Sequence, residues 1–122
     1  MVSIYFLDTY ALIEIIKNNK NFERFKDSSN FTGLMNLLEL HYYISKEFIK
    51  ERADLILDKL KSIIIDFNLN DIKLASRFRI EHIKKGLSFI DSLSYAMAKN
   101  RNFKFVTGDN AFKNLDNIEF VK

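Results

Sequence analysis

Apolar residues along this chain follow two rhythms, and the changes between them mark its elements. "SIYFL" is a continuous apolar run that stops at Asp8, the pattern of a strand covered on both faces. "YALIEIIKN" then takes up helical spacing, so a strand feeds a helix across Asp8. A short helix follows around "FERFK", "NFTG" reads as a second strand, and "LMNLLELHYYI" and "KEFIKERADLILDKLKS" read as two helices. "IIIDF" is a third strand. "DIKLASRFRIEHIKK" puts Leu74, Ala75 and Phe78 on one helical face and ends in lysines and Gly86, a good helix stop. "FIDSLSYAMAKNR" is a further helix, and "FKFVT" and "IEFV" are closing strands separated by the loop "GDNAFKNLDN". The chain has no proline, and Gly33, Gly86 and Gly108 each fall at a boundary. Strands alternating with helices predict βαβ units. The expected fold is a single α/β domain over residues 1–122, with a mainly parallel central sheet and helices on both faces.

Composition narrows the functional classes. A hydrophobic fraction of 48% with 29% charged residues supports a packed core and argues against disorder. The absence of cysteine removes a disulfide framework and any thiolate metal site, and it fits a reducing compartment. "MVSIYFLD" has no basic leader, and its apolar run is too short for a signal sequence or membrane span. A cytoplasmic protein with no membrane partner is expected. The formal charge of +3 permits attraction to nucleic-acid phosphate without demanding it.

The acids carry the chemistry. In open parallel α/β sheets, ligands bind outside the carboxyl ends of the strands, near the point where strand order reverses. Asp8 ends the first strand, and Asp109 follows "FKFVT" by one glycine. Asp91 lies in the first turn of the helix leading into that strand, and such a helix starts over the same edge. Glu39 sits on a helix that is apolar round most of its circumference, where a carboxylate calls for a partner or a metal. Each acid also has a local explanation. Asp8 suits a helix N-cap, Ser88 and Asp91 have capping-box spacing, Asp109 suits a turn, and Asn36 with Glu39 could form a narrow solvent-facing stripe. Together, however, the four acids meet one predicted edge. Hard divalent cations take oxygen ligands, and Mg²⁺ is held by few carboxylates while keeping several waters. Mg²⁺ or Mn²⁺ at such a cluster would support phosphodiester hydrolysis. His41 and His82 lie on different helices with no metal-ligand spacing, so both are expected to be structural or surface residues. Asp66, Asp71 and Asp116 read as strand-end, cap and turn residues. No glycine-rich phosphate loop is present.

These residues resemble the PIN-domain nucleases, especially the small single-domain toxins of VapC type, over essentially the whole chain. "YFLDTYALIE" is similar to the family's opening strand and first acid at Asp8, and "LMNLLELHY" to its helix with the second acid at Glu39. "FIDSLSYAMAKNRNFKFVTGDNAF" is similar to the signature carboxyl half, with acids at Asp91 and Asp109. Thr107 matches the hydroxyl residue two before the last acid, and Thr9 the small hydroxyl residue after the first. The resemblance implies a Mg²⁺- or Mn²⁺-dependent ribonuclease. Its metal ligands would be Asp8, Glu39, Asp91 and Asp109, with Thr107 also in the catalytic set, and its partners would be an RNA substrate, a cognate antitoxin and a second copy in a homodimer. Ala111 stands where many relatives carry another acid, which weakens the case for a second tightly held metal.

Other classes fit less well. A receiver-type phosphoacceptor domain expects paired acids at the first strand end, whereas Asp8 is flanked by Leu7 and Thr9. A haloacid-dehalogenase-like phosphatase needs a second aspartate where Tyr10 stands. A PIN nuclease of RNA maturation and a catalytically silent PIN interaction module both remain open at this stage.

Overall fold

The computed structural model describes residues 3–122. Its sheet contains β1 (Ile4–Leu7), β2 (Ser29–Gly33), β3 (Ile64–Ile65), β4 (Lys104–Thr107) and β5 (Ile118–Phe120), in the order β3-β2-β1-β4-β5. Every described pairing is parallel. The chain winds outward from β1 through β2 to β3, then returns to place β4 on the other flank of β1. Strand order therefore reverses between β1 and β4.

The helices are α1 (Thr9–Ile16), α2 (Leu34–Glu47), α3 (Lys50–Leu60), α4 (Leu69–Glu81) and α5 (Phe89–Asn100), with a 3-10 helix at Lys20–Phe25. They cover both faces because adjacent strand residues point to opposite sides. Leu7 and Val106 face a core shared with Leu12, Phe22, Phe25, Leu40 and Ile44. Their neighbours Phe6 and Phe105 face a second core with Phe78, Tyr95, Met97 and Phe112. The α/β architecture expected from the alternation of strands and helices is the one observed.

Boundaries differ where tertiary partners decide them. The second of the two middle helices begins at Lys50 instead of Lys46, because α2 runs on to Glu47 and the chain turns at Phe48. The third strand pairs only at Ile64 and Ile65, against Thr32 and Gly33. Beyond it, Arg101 Nη2 donates to the Asp66 carbonyl at 3.1 Å and Asn68 caps α4, so the chain leaves the sheet early. The lysines before Gly86 form a separate 3-10 turn at Ile83–Lys85, which ends with Gly86 in the left-handed region, φ 69°. Asn18, Asn102 and Asn117 also adopt positive φ, a conformation that asparagine tolerates better than most residues.

The pairing of α4 with α5 fixes the helix that carries Asp91. Asp71 closes a capping box with Asn68, as its sequence position suggests, but its side chain is also fully buried. There it accepts two hydrogen bonds from Arg101, both 2.9 Å, and one from Asn100 at 2.8 Å. Burial alone would raise the Asp71 pKa. The hydrogen bonds from Arg101, Asn100 and the Asn68 amide, with the Arg101 charge, outweigh it and hold the carboxyl below its ordinary value. Arg101→Ala would strand this buried charge. Chemical denaturation at pH 7 should show a loss of about 3 kcal/mol. Because the folded pKa is lowered, the contribution of the pair is present above the unfolded carboxylate value and is lost as pH falls through the folded one, so the deficit should close in acid.

Candidate active site

β1 and β4 lie side by side with Leu7 opposite Val106, and the Asp8 amide donates to the Val106 carbonyl at 3.3 Å. This register puts the residues following the two strands at one edge. Asp8, Asp91 and Asp109 line a cleft of about 310 Å³ there, together with Thr9, Tyr10, Gly108, Asn110 and Lys122. Gly108 is required by packing: a Cβ on it would stand 2.3 Å from the Tyr10 ring and 2.5 Å from the Val121 carbonyl. Only a bare backbone can carry the chain from Thr107 to Asp109 at this point.

Capping holds the acids in place. Asp8 accepts from the Ala11 amide at 2.9 Å, Asp91 from the Ser88 amide at 2.9 Å, and Asp109 from the Ala111 amide at 3.0 Å. Each of these bonds engages one carboxylate oxygen and fixes the side chain. The local explanations of the three aspartates are therefore correct and compatible with a shared site. Thr107, fully buried, donates to the Asp8 carboxylate while its oxygen accepts from the Asp109 amide at 3.1 Å.

Asp8 is 7% exposed. Desolvation pushes its carboxyl pKa up to about 7, against the hydrogen bonds from Thr107 and Ala11, and the charges of Asp91 and Asp109 push the same way as burial. None of these three acids, nor Glu39, makes an ion pair among the described residues.

Glu39 approaches from a different direction. It accepts a 2.5 Å hydrogen bond from the Thr9 hydroxyl, and Asn36 Nδ2 donates to that same hydroxyl oxygen at 3.2 Å. Asn36 Oδ1 in turn accepts from Ser94 Oγ at 3.0 Å. The chain Ser94, Asn36, Thr9, Glu39 thus ties α5, α2 and α1 together beside the cleft. A solvent-facing stripe of Asn36 and Glu39 is ruled out, since Asn36 is 2% exposed. Sequence reasoning gave Asn36 and Ser94 no role at the site. The available signal was helical spacing: residues three apart share a face, so an inward Glu39 brings Asn36 inward with it. Gly33 makes room, because a Cβ there would meet Asn36 Oδ1 at 2.9 Å.

The histidines lie elsewhere. His41 pairs with Asp54 at 2.8 Å, and His82 packs its ring on Phe78 with centroids 4.4 Å apart. Asp116 lies in the turn before β5 and binds Lys99 and Tyr95. Among the described residues, no group of three or more His, Cys, Asp or Glu side chains forms a ready-made metal cage. The donor set still fits Mg²⁺ or Mn²⁺, which needs only one or two carboxylates with water completing its shell. Asp8, desolvated and in no ion pair among the described residues, stands beside two further acids with Lys122 as the one basic side chain of the cleft lining, an arrangement that favours a cation.

The family model for the PIN domain matches residues 5–118. The chain belongs to the PIN domain family. A solved structure of VapBC2 from Rickettsia felis, bound to a DNA fragment from their promoter, is 28% identical with a TM-score of 0.75, covering 98% of this chain and 99% of that one. DNA-bound VapBC from Salmonella typhimurium is 25% identical with a TM-score of 0.77, covering 98% and 97%. The Mycobacterium tuberculosis VapC20, described as a sarcin-ricin loop cleaving toxin, has a TM-score of 0.79 over 97% and 99% of the two chains. At 15% identity it shows the fold alone. No curated protein matches. Among the described residues, no helix of this PIN domain is long and apolar enough to cross a membrane.

Asp8→Asn separates the charge of the first acid from its cap, because asparagine caps helices about as well as aspartate. With its pKa raised in the folded state, Asp8 favours folding fully below about pH 4, and that contribution is lost as pH rises to about 7. In metal-free buffer at pH 8 the Asn variant should be the more stable, by on the order of 3 kcal/mol, with the difference vanishing towards pH 4. Thermal melts across this range provide the measurement. Added Mg²⁺ should raise the melting temperature of the wild type more than that of the variant.

Proposed function

We propose that this PIN-domain protein is a divalent-metal-dependent ribonuclease and the toxin of a toxin–antitoxin pair, acting in the cytoplasm. The observation that carries the proposal is the cleft at the switch point of a parallel sheet where Asp8, Asp91 and Asp109 meet, none of them in an ion pair among the described residues. Asp8, Asp91 and Asp109 would hold the ion, with Glu39 positioned through Thr9 to complete its surroundings. Mg²⁺ or Mn²⁺, when bound, supplies charge to stabilise the phosphate in an in-line displacement and to activate water. The side chains do the rest. Capping keeps the aspartates in fixed rotamers, Thr107 orients the Asp8 carboxylate, and the Asn36 relay keeps the Thr9 hydroxyl aimed at Glu39. RNA as substrate rests on the family resemblance and on the net charge of +3.

The toxin reading draws support from the VapBC complexes among the similar structures. It also draws on an apolar groove of about 720 Å³ between α1 and α3, floored by Leu12, Ile56 and Leu60 and rimmed by Lys26, Arg52 and Lys59. An antitoxin segment with apolar anchors and acidic flanks would suit it. Leu34, Leu38 and Tyr42 on α2 are exposed, and they offer a second copy an apolar face for a homodimer.

Purified protein should cut RNA with Mg²⁺ or Mn²⁺ and stop on chelation. Asp91→Asn and Glu39→Gln should each lower kcat by about a hundredfold or more. Cleavage that survives chelation would remove the metal from the proposal, and a protein inert towards every RNA under these conditions would be an interaction module. Leu55→Glu, at an exposed position of the groove, should leave cleavage intact while weakening inhibition by the product of a neighbouring small gene. Unchanged inhibition would place the antitoxin elsewhere.

A further inference from the structure

Lys122 shares the lining of the acidic cleft with Asp8, Asp91 and Asp109, and neither the capping of the aspartates nor the Asn36 relay uses it. The sheet sets its place. β5 runs parallel to β4 with Phe120 opposite Thr107, so the residues that follow the two strands leave at the same edge. The Val121 amide donates to the Thr107 carbonyl at 3.0 Å, and the Lys122 carbonyl accepts from Asn21 Nδ2 at 2.7 Å. The Val121 carbonyl also closes on Gly108, where an added Cβ would stand 2.5 Å from it. These contacts fix the backbone that carries Lys122.

Its side chain, by contrast, has no anion. Lys17, Lys26 and Lys99 each pair with a carboxylate on this surface, at 3.5, 3.6 and 2.9 Å. Lys122 is exposed, and although three aspartates share its cleft it makes no ion pair among the described residues. A positive charge beside the acids but bound to none of them is available to an incoming anion. Three carboxylates around a divalent ion still leave net negative charge, and a phosphodiester entering the cleft adds to it. A second cation is therefore needed for the phosphate to be held there. The lysine ammonium is a compact charge with three donors on a flexible stem, suited to one phosphate oxygen.

We infer that Lys122 is a substrate-binding residue of this cleft, whose ammonium group holds a non-bridging oxygen of the phosphodiester that enters it. This deepens the ribonuclease proposal and rests on it. Lys122 donates hydrogen bonds to the phosphate and keeps its protons throughout.

The experiment compares the wild-type chain with Lys122→Gln, Lys122→Arg and Lys73→Gln, the last removing a lysine of α4 that lies outside the cleft lining. Binding of a labelled short RNA is followed by anisotropy with Ca²⁺ in place of Mg²⁺, on RNA shown by gel to remain intact. Lys122→Gln should weaken binding about tenfold, the loss of one charged hydrogen bond. It should also lower the slope of log affinity against log salt by about one. Lys122→Arg keeps the charge and should retain both, and Lys73→Gln should leave the slope unchanged. With Mg²⁺, kcat/KM of Lys122→Gln should fall by about tenfold or more. Calorimetric titration of Mg²⁺ into the RNA-free protein should give similar affinities for wild type and Lys122→Gln.

Equal RNA affinity and salt slope in wild type and Lys122→Gln overturn the inference, as does an absence of RNA binding. An equal loss in Lys73→Gln also overturns it, because net charge alone would then account for the effect. If Lys122→Gln tightens Mg²⁺ binding about tenfold and leaves the RNA slope unchanged, Lys122 is a counter-ion of the aspartates and the phosphate contact fails. The two readings fail separately: a salt slope that depends on Lys122 without any cleavage removes the ribonuclease and leaves the phosphate contact, and cleavage that Lys122→Gln leaves unchanged does the reverse.

Discussion

An aspartate that water barely reaches, with two further acids half-buried at the mouth of the same cleft, is the constraint around which this domain is arranged. Parallel pairing of β1 with β4 sets two strand ends side by side, and α5 starts over the same edge. Three aspartates are brought there by backbone geometry that the cores on both faces enforce. The cost of burying Asp8, to which repulsion from Asp91 and Asp109 adds a smaller part, is tolerated because the packing of the sheet outweighs it, and it appears as the raised pKa of Asp8. The fold thus keeps a carboxyl at a position where its charged form is disfavoured.

Support around the site divides into two kinds. Backbone amides at Ala11, Ser88 and Ala111 hold the aspartates individually, each within its own turn. Thr9, Asn36 and Ser94 connect three helices and carry Glu39 with them. The first kind tolerates sequence change in the rest of the domain, since it depends on local geometry. The second depends on close approach at Gly33, where an added methyl group would press on Asn36.

The strand and helix alternation was legible in the sequence because apolar periodicity reports burial directly, and the gathering of Asp8, Asp91 and Asp109 was legible because it follows from topology. Features settled by distant partners were not. Nothing local distinguishes Asp71 as a cap from Asp71 as the buried acceptor of Arg101, thirty residues on. The early end of β3 reflects the same arginine, and the inward turn of Asn36 reflects Ser94 on another helix. Turns were hard to place for a different reason: with few glycines and no proline, the chain reverses at Asn18, Asn102 and Asn117, and asparagine is common enough on surfaces to carry little signal.

The two cores never merge, and this separation has a consequence for communication within the domain. The groove between α1 and α3 opens on the side of Leu12 and Ile56, whereas Phe78 of α4 and Tyr95 and Met97 of α5 belong to the other side. A molecule seated in the groove and one lying against α4 and α5 would therefore occupy different faces and need not compete for contact area. Any influence of one on the other has to cross the edge of the sheet, where Asn36 touches both Thr9 and Ser94 and provides a polar bridge between the layers.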